Sequence, residues 1–229
     1  MIKHHPKFEL IQQFVKGELP ASLSAGISIH AEMCPTCLQK ITELTEQVAE
    51  ISFEDSISTQ FDVTNEPVIG SISESLDFDA MIESITQSND IAVEIDRAVT
   101  KIEYKDDFYT LPRAISNMAL GKNTSFGKLT RTRIQLEENE IHTSLLHISP
   151  GGGVPEHTHK GFELTVLLAG SFHDAEGEYV KGDFIMLDGS HQHNPVSDNG
   201  CLCYTVANDA LHFSQGINKL LNPIGTFIY

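Results

Sequence analysis

The chain has 229 residues, of which 40% are hydrophobic and 21% charged, a globular composition that argues against wholesale disorder, a collagen-like repeat or a disulfide-dense small scaffold. Fifteen Lys and Arg against 32 Asp and Glu leave a formal net charge of −17, so nucleic acid and an anionic membrane surface, which both need a positive contact surface, are poor direct partners and a basic protein is a better one. No apolar run approaches the roughly 18 residues of a spanning helix, and Met1-Ile2-Lys3-His4-His5-Pro6 is followed by no signal-type apolar stretch. The expected address is cytoplasmic, where Cys34, Cys37, Cys201 and Cys203 stay reduced and serve as metal ligands or redox sensors.

In chain order, Phe8, Ile11, Phe14 and Val15 recur at i, i+3, i+6 and i+7, which predicts a helix over 7–17 with Gly17 as its stop. Pro20, Ser22 and Ser24 open a second helical stretch toward His30. Pro35 lacks an N–H and suits a first helical turn, so a third helix is expected from there to about Glu50. Three short helices promise only a very small core. Over residues 51–100 eleven acidic residues face one basic residue, Arg97, the composition of a solvated linker. Within it Phe78, Met81, Ile82 and Ile85 fall at i, i+3, i+4 and i+7, with Ser75 or Asp77 as N-cap and Asn89 as stop. That predicts an amphipathic helix near 75–89, packed on a neighbouring domain or docked on a partner.

Beyond Leu111-Pro112 the texture changes to short segments broken by glycine. Residues 128–135, 143–148, 163–168, 183–187 and 202–207 are predicted strands. Gly151-Gly152-Gly153, Ala169-Gly170, Glu176-Gly177, Lys181-Gly182 and Asn199-Gly200 are expected as turns. This spacing suggests an all-β sandwich or barrel of about 120 residues. The chain has no internal repeat and no low-complexity tract.

Two groups of residues carry chemistry. Cys34-Pro35-Thr36-Cys37 is a C-x2-C pair with His30 four residues earlier, so one helical turn leads His30 and Cys34 to one side while Cys37 begins the next helix. Two thiolates and imidazole suit tetrahedral zinc, and His5 or His4 can supply a fourth ligand. A thioredoxin-type redox pair fits less well, because no βαβ unit surrounds it. Metal would add folding energy that three short helices lack. In the second group, His157-Thr158-His159 places two imidazoles on one face of a strand, and Glu163 keeps that parity if extended geometry resumes after Gly161. His191-Gln192-His193 offers one more imidazole, and three His with one Glu suit zinc or another divalent metal. Cys201 and Cys203, at i and i+2, point to one face of a strand, a poor geometry for a mutual disulfide.

The run His157-x-His159-x3-Glu163-x6-Gly170, followed by Gly182-Asp183 and His193, resembles the two metal-binding motifs of the cupin superfamily, a jelly-roll-type β-barrel. It departs at Asp188-Gly189-Ser190, where the second motif usually has a Pro-x-Gly turn. That puts the turn geometry in doubt, not the ligands. His5, His30, Cys34 and Cys37 with the surrounding helix pattern resemble the zinc-binding anti-sigma domain. In this order, and with Gly161-Phe162-Glu163-Leu164-Thr165 and Cys201 with Cys203, nearly the whole chain resembles the ChrR-type anti-sigma factors.

The resemblance implies an α + β two-domain protein. Residues 1–95 form a zinc-stapled helical anti-sigma domain that includes the acidic linker and the helix near 75–89; residues 105–229 form the cupin barrel. It implies His5, His30, Cys34 and Cys37 as zinc ligands, and His157, His159, Glu163 and His193, rather than His191, as ligands of zinc or another divalent metal in the barrel. The implied partner is an extracytoplasmic-function-type sigma factor, bound, inhibited and released on oxidative stress such as singlet oxygen; direct binding of nucleic acid or membrane and enzyme activity are not expected. An acidic inhibitor matches the basic and apolar surfaces of a sigma factor. Two other readings remain, a metal-dependent cupin enzyme of dioxygenase or isomerase type, which needs a substrate cavity, and a small-molecule binding module whose helices only dimerise.

Overall fold

The computed structural model describes residues 1–58, 77–87, 100–105 and 107–209. Helices α1 (Phe8–Lys16), α2 (Ala21–Met33), α3 (Pro35–Ser58) and α4 (Phe78–Gln87) precede all the strands. These are β1 (Lys101–Tyr104), β2 (Asp107–Thr110), β3 (Leu120–Phe126), β4 (Leu129–Ile134), β5 (His142–Ile148), β6 (Gly152–Gly153), β7 (His157–Thr158), β8 (Phe162–His173), β9 (Glu178–Val180), β10 (Phe184–Asp188), β11 (Gln192–His193), β12 (Val196–Ser197) and β13 (Cys201–Ala207). The chain forms two compact units, residues 1–49 with 99–229, and residues 50–98. Among the described residues no helix is long and apolar enough to cross a membrane.

In the first unit α1 stops where expected. Gly17 takes the left-handed conformation at φ 71°, and the Glu18 N–H donates to Gln13 O at 2.9 Å, closing the last turn. The break between α2 and α3 follows from Pro35, which disfavours helical backbone at the residue before it. Cys34 is accordingly extended at φ −118° and ψ 98°, its N–H held by His30 O at 2.8 Å while its own carbonyl accepts the Leu38 N–H at 3.0 Å to open α3. One residue thus ends one helix and caps the next. Helix α3 runs to Ser58, beyond the expected Glu50.

The main sheet has the order β3-β4-β5-β13-β8, and β8 also pairs with β10, β9 and β12, with β6 beyond β12. All pairings are antiparallel, as in Leu187 opposite Glu163 and Val206 opposite Leu164. Strand β8 runs through Ala169-Gly170, so the turn expected there is absent. Gly170 stands at φ 73°, and a Cβ on it would lie 2.1 Å from Gly200 O, so the close backbone of the neighbouring turn takes the space a side chain would need.

Both faces of this sheet are buried. Inward, Leu146, Ile148, Leu167, Ile185, Leu187, Cys201 and Cys203 fill the barrel. On the outer face Leu164, Val166, Leu168, Leu202, Tyr204 and Val206 form one core with Leu23, Ala25, Ile27 and Ile29 of α2. The helices keep a small cluster of their own around the thiols, Ile11, Cys34, Cys37 and Leu44, but the other side of α2 is seated on the barrel. Gly26 sets the approach, since a Cβ there would lie 2.6 Å from Leu164 Cδ2. The Tyr204 hydroxyl donates to Ser22 O at 2.8 Å across the same contact. Hairpin β1–β2, which no sequence pattern announced, covers another part of the outer face. The His147 ring stacks on that of Tyr104 there, at 5.0 Å and 1° between planes.

In the second unit, the Asp77 carboxylate accepts the Ala80 N–H at 2.9 Å and caps α4. Met81, Ile82 and Ile85 are exposed. Ser75, Asn89, the Phe78 side chain and most of the expected acidic linker lie outside the described residues.

Candidate metal centres

The first centre lies at the break between α2 and α3. His5 Nδ1 is 3.3 Å from His30 Nε2, 3.5 Å from Cys34 Sγ and 3.4 Å from Cys37 Sγ, and His30 Nε2 is 3.2 Å from Cys37 Sγ. Tetrahedral zinc with bonds of about 2.0–2.3 Å places neighbouring donors about 3.3–3.8 Å apart, so the spacing suits such an ion. The orientation of His30 adds to the fit. Its Nδ1 donates to Gly182 O at 2.7 Å, which fixes the tautomer and leaves an Nε2 lone pair facing the thiols. Burial, with the charge of His5 beside it, pushes the His30 pKa down and favours the neutral, ligating form. Burial also pushes the Cys37 thiol up to about 12, with Cys34 adding to the rise. A cation is what would make two adjacent buried sulfurs stable as thiolates. Of the two candidates for fourth donor, His5 joins the group and His4 turns to Tyr179 and Asp183.

The second centre lies inside the barrel. His157 on β7 stands opposite His193 on β11, and Glu163 sits near the start of β8. Strand β7 covers only His157 and Thr158, so His159 reaches the group from the loop before β8 rather than from a continuous strand. His159 Nε2 lies 2.9 Å from Glu163 Oε2 and 3.3 Å from His193 Nε2; His193 Nε2 is 3.4 Å from the same carboxylate oxygen. His157 Nδ1 donates to Pro155 O at 2.8 Å, which leaves its Nε2 for the group. Burial would raise the Glu163 carboxyl, but His159 and His193 hold it well below the usual carboxylate range. Burial, reinforced by His193, lowers the His157 pKa to about 4. Three imidazoles around a carboxylate form a donor set for a divalent ion.

All eight expected side chains therefore gather into two groups, each with its donor atoms within 4.8 Å of one another. His191 stays outside, half-buried and paired with Asp188 at 2.9 Å. The missing Pro-x-Gly turn is replaced by Asp188. Its carboxylate takes the Ser190 N–H at 3.0 Å and the Ser190 hydroxyl, and Thr158 ties the turn to β7 through Gly189 O at 3.2 Å and His191 O at 3.0 Å.

A cavity of about 30 Å³ adjoins the barrel group, lined by His157, Glu163, His193 and Cys203 among others, room for about one or two waters. Cys201 and Cys203 are both buried with their sulfurs 4.0 Å apart, and Cys203 is the one that reaches the cavity. Behind the donors stand Gly182, Asp183 and Pro155; the motifs named the first two without these contacts and did not flag Pro155. A backbone carbonyl leaves no trace in residue type, although the pair Gly182-Asp183 itself marked the spot.

Residues 116–210 match the model of the ChrR cupin-like domain family. Along nearly its whole length the chain is similar to the anti-sigma-E factor ChrR of Cereibacter sphaeroides, 26% identical over 234 residues that cover 97% of each protein. Among solved structures it is similar to that of Rhodobacter sphaeroides SigE in complex with the anti-sigma ChrR, with a TM-score of 0.60 and 20% identity, covering 90% of this chain and 99% of the matched one.

Proposed function

We propose that this ChrR-like chain is an anti-sigma factor, which binds and inhibits an extracytoplasmic-function-type sigma factor in the cytoplasm and releases it under oxidative stress. What carries the reading is that the likeness spans 97% of both proteins, so that helices and barrel belong to it together. The functional division runs between residues 1–95, which hold the sigma factor, and 105–229, which govern its release. Zinc is the ion for His5, His30, Cys34 and Cys37, a closed set of two sulfurs and two nitrogens with no position left for a reactant. Zinc or another divalent ion suits His157, His159, Glu163 and His193.

Two features support a protein partner. The net charge of −17 complements the basic surface of a DNA-binding factor, and the exposed Met81, Ile82 and Ile85 give α4 an apolar face to bury. The barrel cavity supports a sensor over a catalyst, because about 30 Å³ leaves no room for an organic substrate beside the metal donors. Coexpression with an extracytoplasmic-function-type sigma factor tests the reading. The two should copurify and a sigma-dependent reporter should fall silent, whereas separate elution with full reporter activity would refute it.

A further inference from the structure

The N-terminal donor group is held on one side by the barrel. Asp183, fully buried in the turn before β10, accepts the Lys3 N–H at 2.7 Å and the His4 N–H at 3.0 Å through Oδ1, and the Val180 N–H at 2.8 Å through Oδ2. The Phe184 N–H donates to His4 O at 3.0 Å, so residues 3–4 are tied in on both sides of their backbone. The His4 ring packs on Tyr179 at 4.8 Å. Next in sequence comes His5, the donor that lies outside the stretch from α2 to α3.

Gly182 serves the same group from beneath. Its carbonyl takes the His30 Nδ1 proton, and its φ of 95° belongs to the region that favours glycine. A Cβ on it would lie 2.5 Å from Ile2 Cδ1, so the start of the chain covers this turn directly. Of the four donors, Cys34 and Cys37 are placed by the break between α2 and α3. His30 stands on α2 with its ring oriented by the barrel turn at 181–183, and His5 follows the two residues that this turn holds.

We propose that Asp183 is a positioning residue for the N-terminal metal centre: by gripping the backbone of Lys3 and His4 it sets His5 at the ion, so the barrel helps determine how tightly the Cys/His group holds metal. The proposal rests on reading His5, His30, Cys34 and Cys37 as metal ligands. It adds that the ligand sphere of the helical part is completed by contacts the barrel supplies. By reciprocity, metal bound there tightens the seat of residues 2–5 on the barrel by the same factor. Partners that orient metal-bound histidines typically change affinity by about 10–100-fold when lost.

Cobalt(II) binding to the full-length protein provides the test, because thiolate-to-cobalt charge transfer reports the Cys/His group and is silent for a barrel site of His and Glu. Lys3→Pro removes the N–H that Asp183 accepts at 2.7 Å and alters neither the barrel nor a donor. Lys3→Ala keeps that N–H and loses only the side chain. We expect Lys3→Pro to weaken cobalt binding by about tenfold, Asp183→Ala to weaken it at least as much, and Lys3→Ala to match the unaltered protein. The thermal unfolding of the barrel in Lys3→Pro should stay unchanged. Unaltered cobalt affinity in Lys3→Pro overturns the proposal, even if Asp183→Ala lowers it, because the effect would then belong to the barrel turn alone. Absence of any thiolate–cobalt band in the unaltered protein would instead refute the metal reading of the Cys/His group.

Discussion

The two donor groups are built on opposite plans. The barrel group is fixed by strand register, with His157 directly across from His193 and Glu163 at the start of the strand that organises the sheet. The Cys/His group sits at a seam, with two donors from a helix break, one from the last turn of α2 and one from an extended N-terminal segment leaning on the barrel. A site fixed by register survives the loss of its ion, because the sheet holds its donors apart from any metal. A site at a seam depends on its ion to keep the parts together.

The largest effect should come from breaking the seam. Cys34→Ser or Cys37→Ser should abolish thiolate–cobalt absorption and copurification of the sigma factor. Hydrogen exchange should then show α1 and the start of α3 unprotected while α2, cored with Leu164 and Tyr204, stays protected. Equal loss in all three helices would mean that α2 is not held by the barrel.

Loss of the barrel group should do less to the fold and more to the response. His157→Ala or Glu163→Gln should lower the metal content by one ion per chain and leave sigma inhibition in place, while induction of a sigma-dependent reporter by singlet oxygen or organic peroxide is blunted. Full induction in both variants would assign the barrel ion no part in release.

Next in size is the contact between α2 and the sheet. Gly26→Val places bulk where a Cβ already lies 2.6 Å from Leu164 Cδ2, and overpacking of this kind costs about 1–3 kcal/mol. Tyr204→Phe removes the buried hydrogen bond to Ser22 O and should cost about 1 kcal/mol. Urea unfolding midpoints measure both, and no change in either would contradict the packing of α2 on the barrel.

The smallest effect is a pH slope. Burial lowers the His147 pKa, and neither ring nitrogen has a hydrogen-bond partner among the described residues. Below the ordinary histidine value near 6.5 the unfolded chain takes up a proton that the folded chain resists, so stability falls as pH drops through that region. His147→Phe keeps the stack on Tyr104 and should flatten the fall.

What the sequence made legible follows physical range. His30, Cys34 and Cys37 lie within eight residues, and Pro35 explains the break between them by local sterics alone. His157, His159 and Glu163 are nearly as local. The seating of α2 on the barrel was hidden in plain composition. Leu164-Thr165-Val166-Leu167-Leu168 and Cys201-Leu202-Cys203-Tyr204 are continuous rather than alternating, the pattern of strands covered on both faces. A half-buried sheet would have alternated, so these runs already required a second layer. Hairpin β1–β2 and β3 left weaker traces, because their exposed residues carry little apolar pattern. The grip of Asp183 on the backbone of Lys3 and His4 could not be read at all, since backbone N–H groups are the same in every residue but proline.

That grip joins residues 180 positions apart in the chain. A ribosome adding about 5–20 residues per second reaches Asp183 some 10–40 s after it has made Lys3. During that interval Cys34 and Cys37 exist without the turn that seats His5 and orients His30. The sulfurs, buried in the finished protein, are then open to oxidants and to whatever metal ion arrives first. A segment made well before its barrel turn is thus among the last completed, and the newborn chain passes through a period of chemical exposure that the mature fold closes.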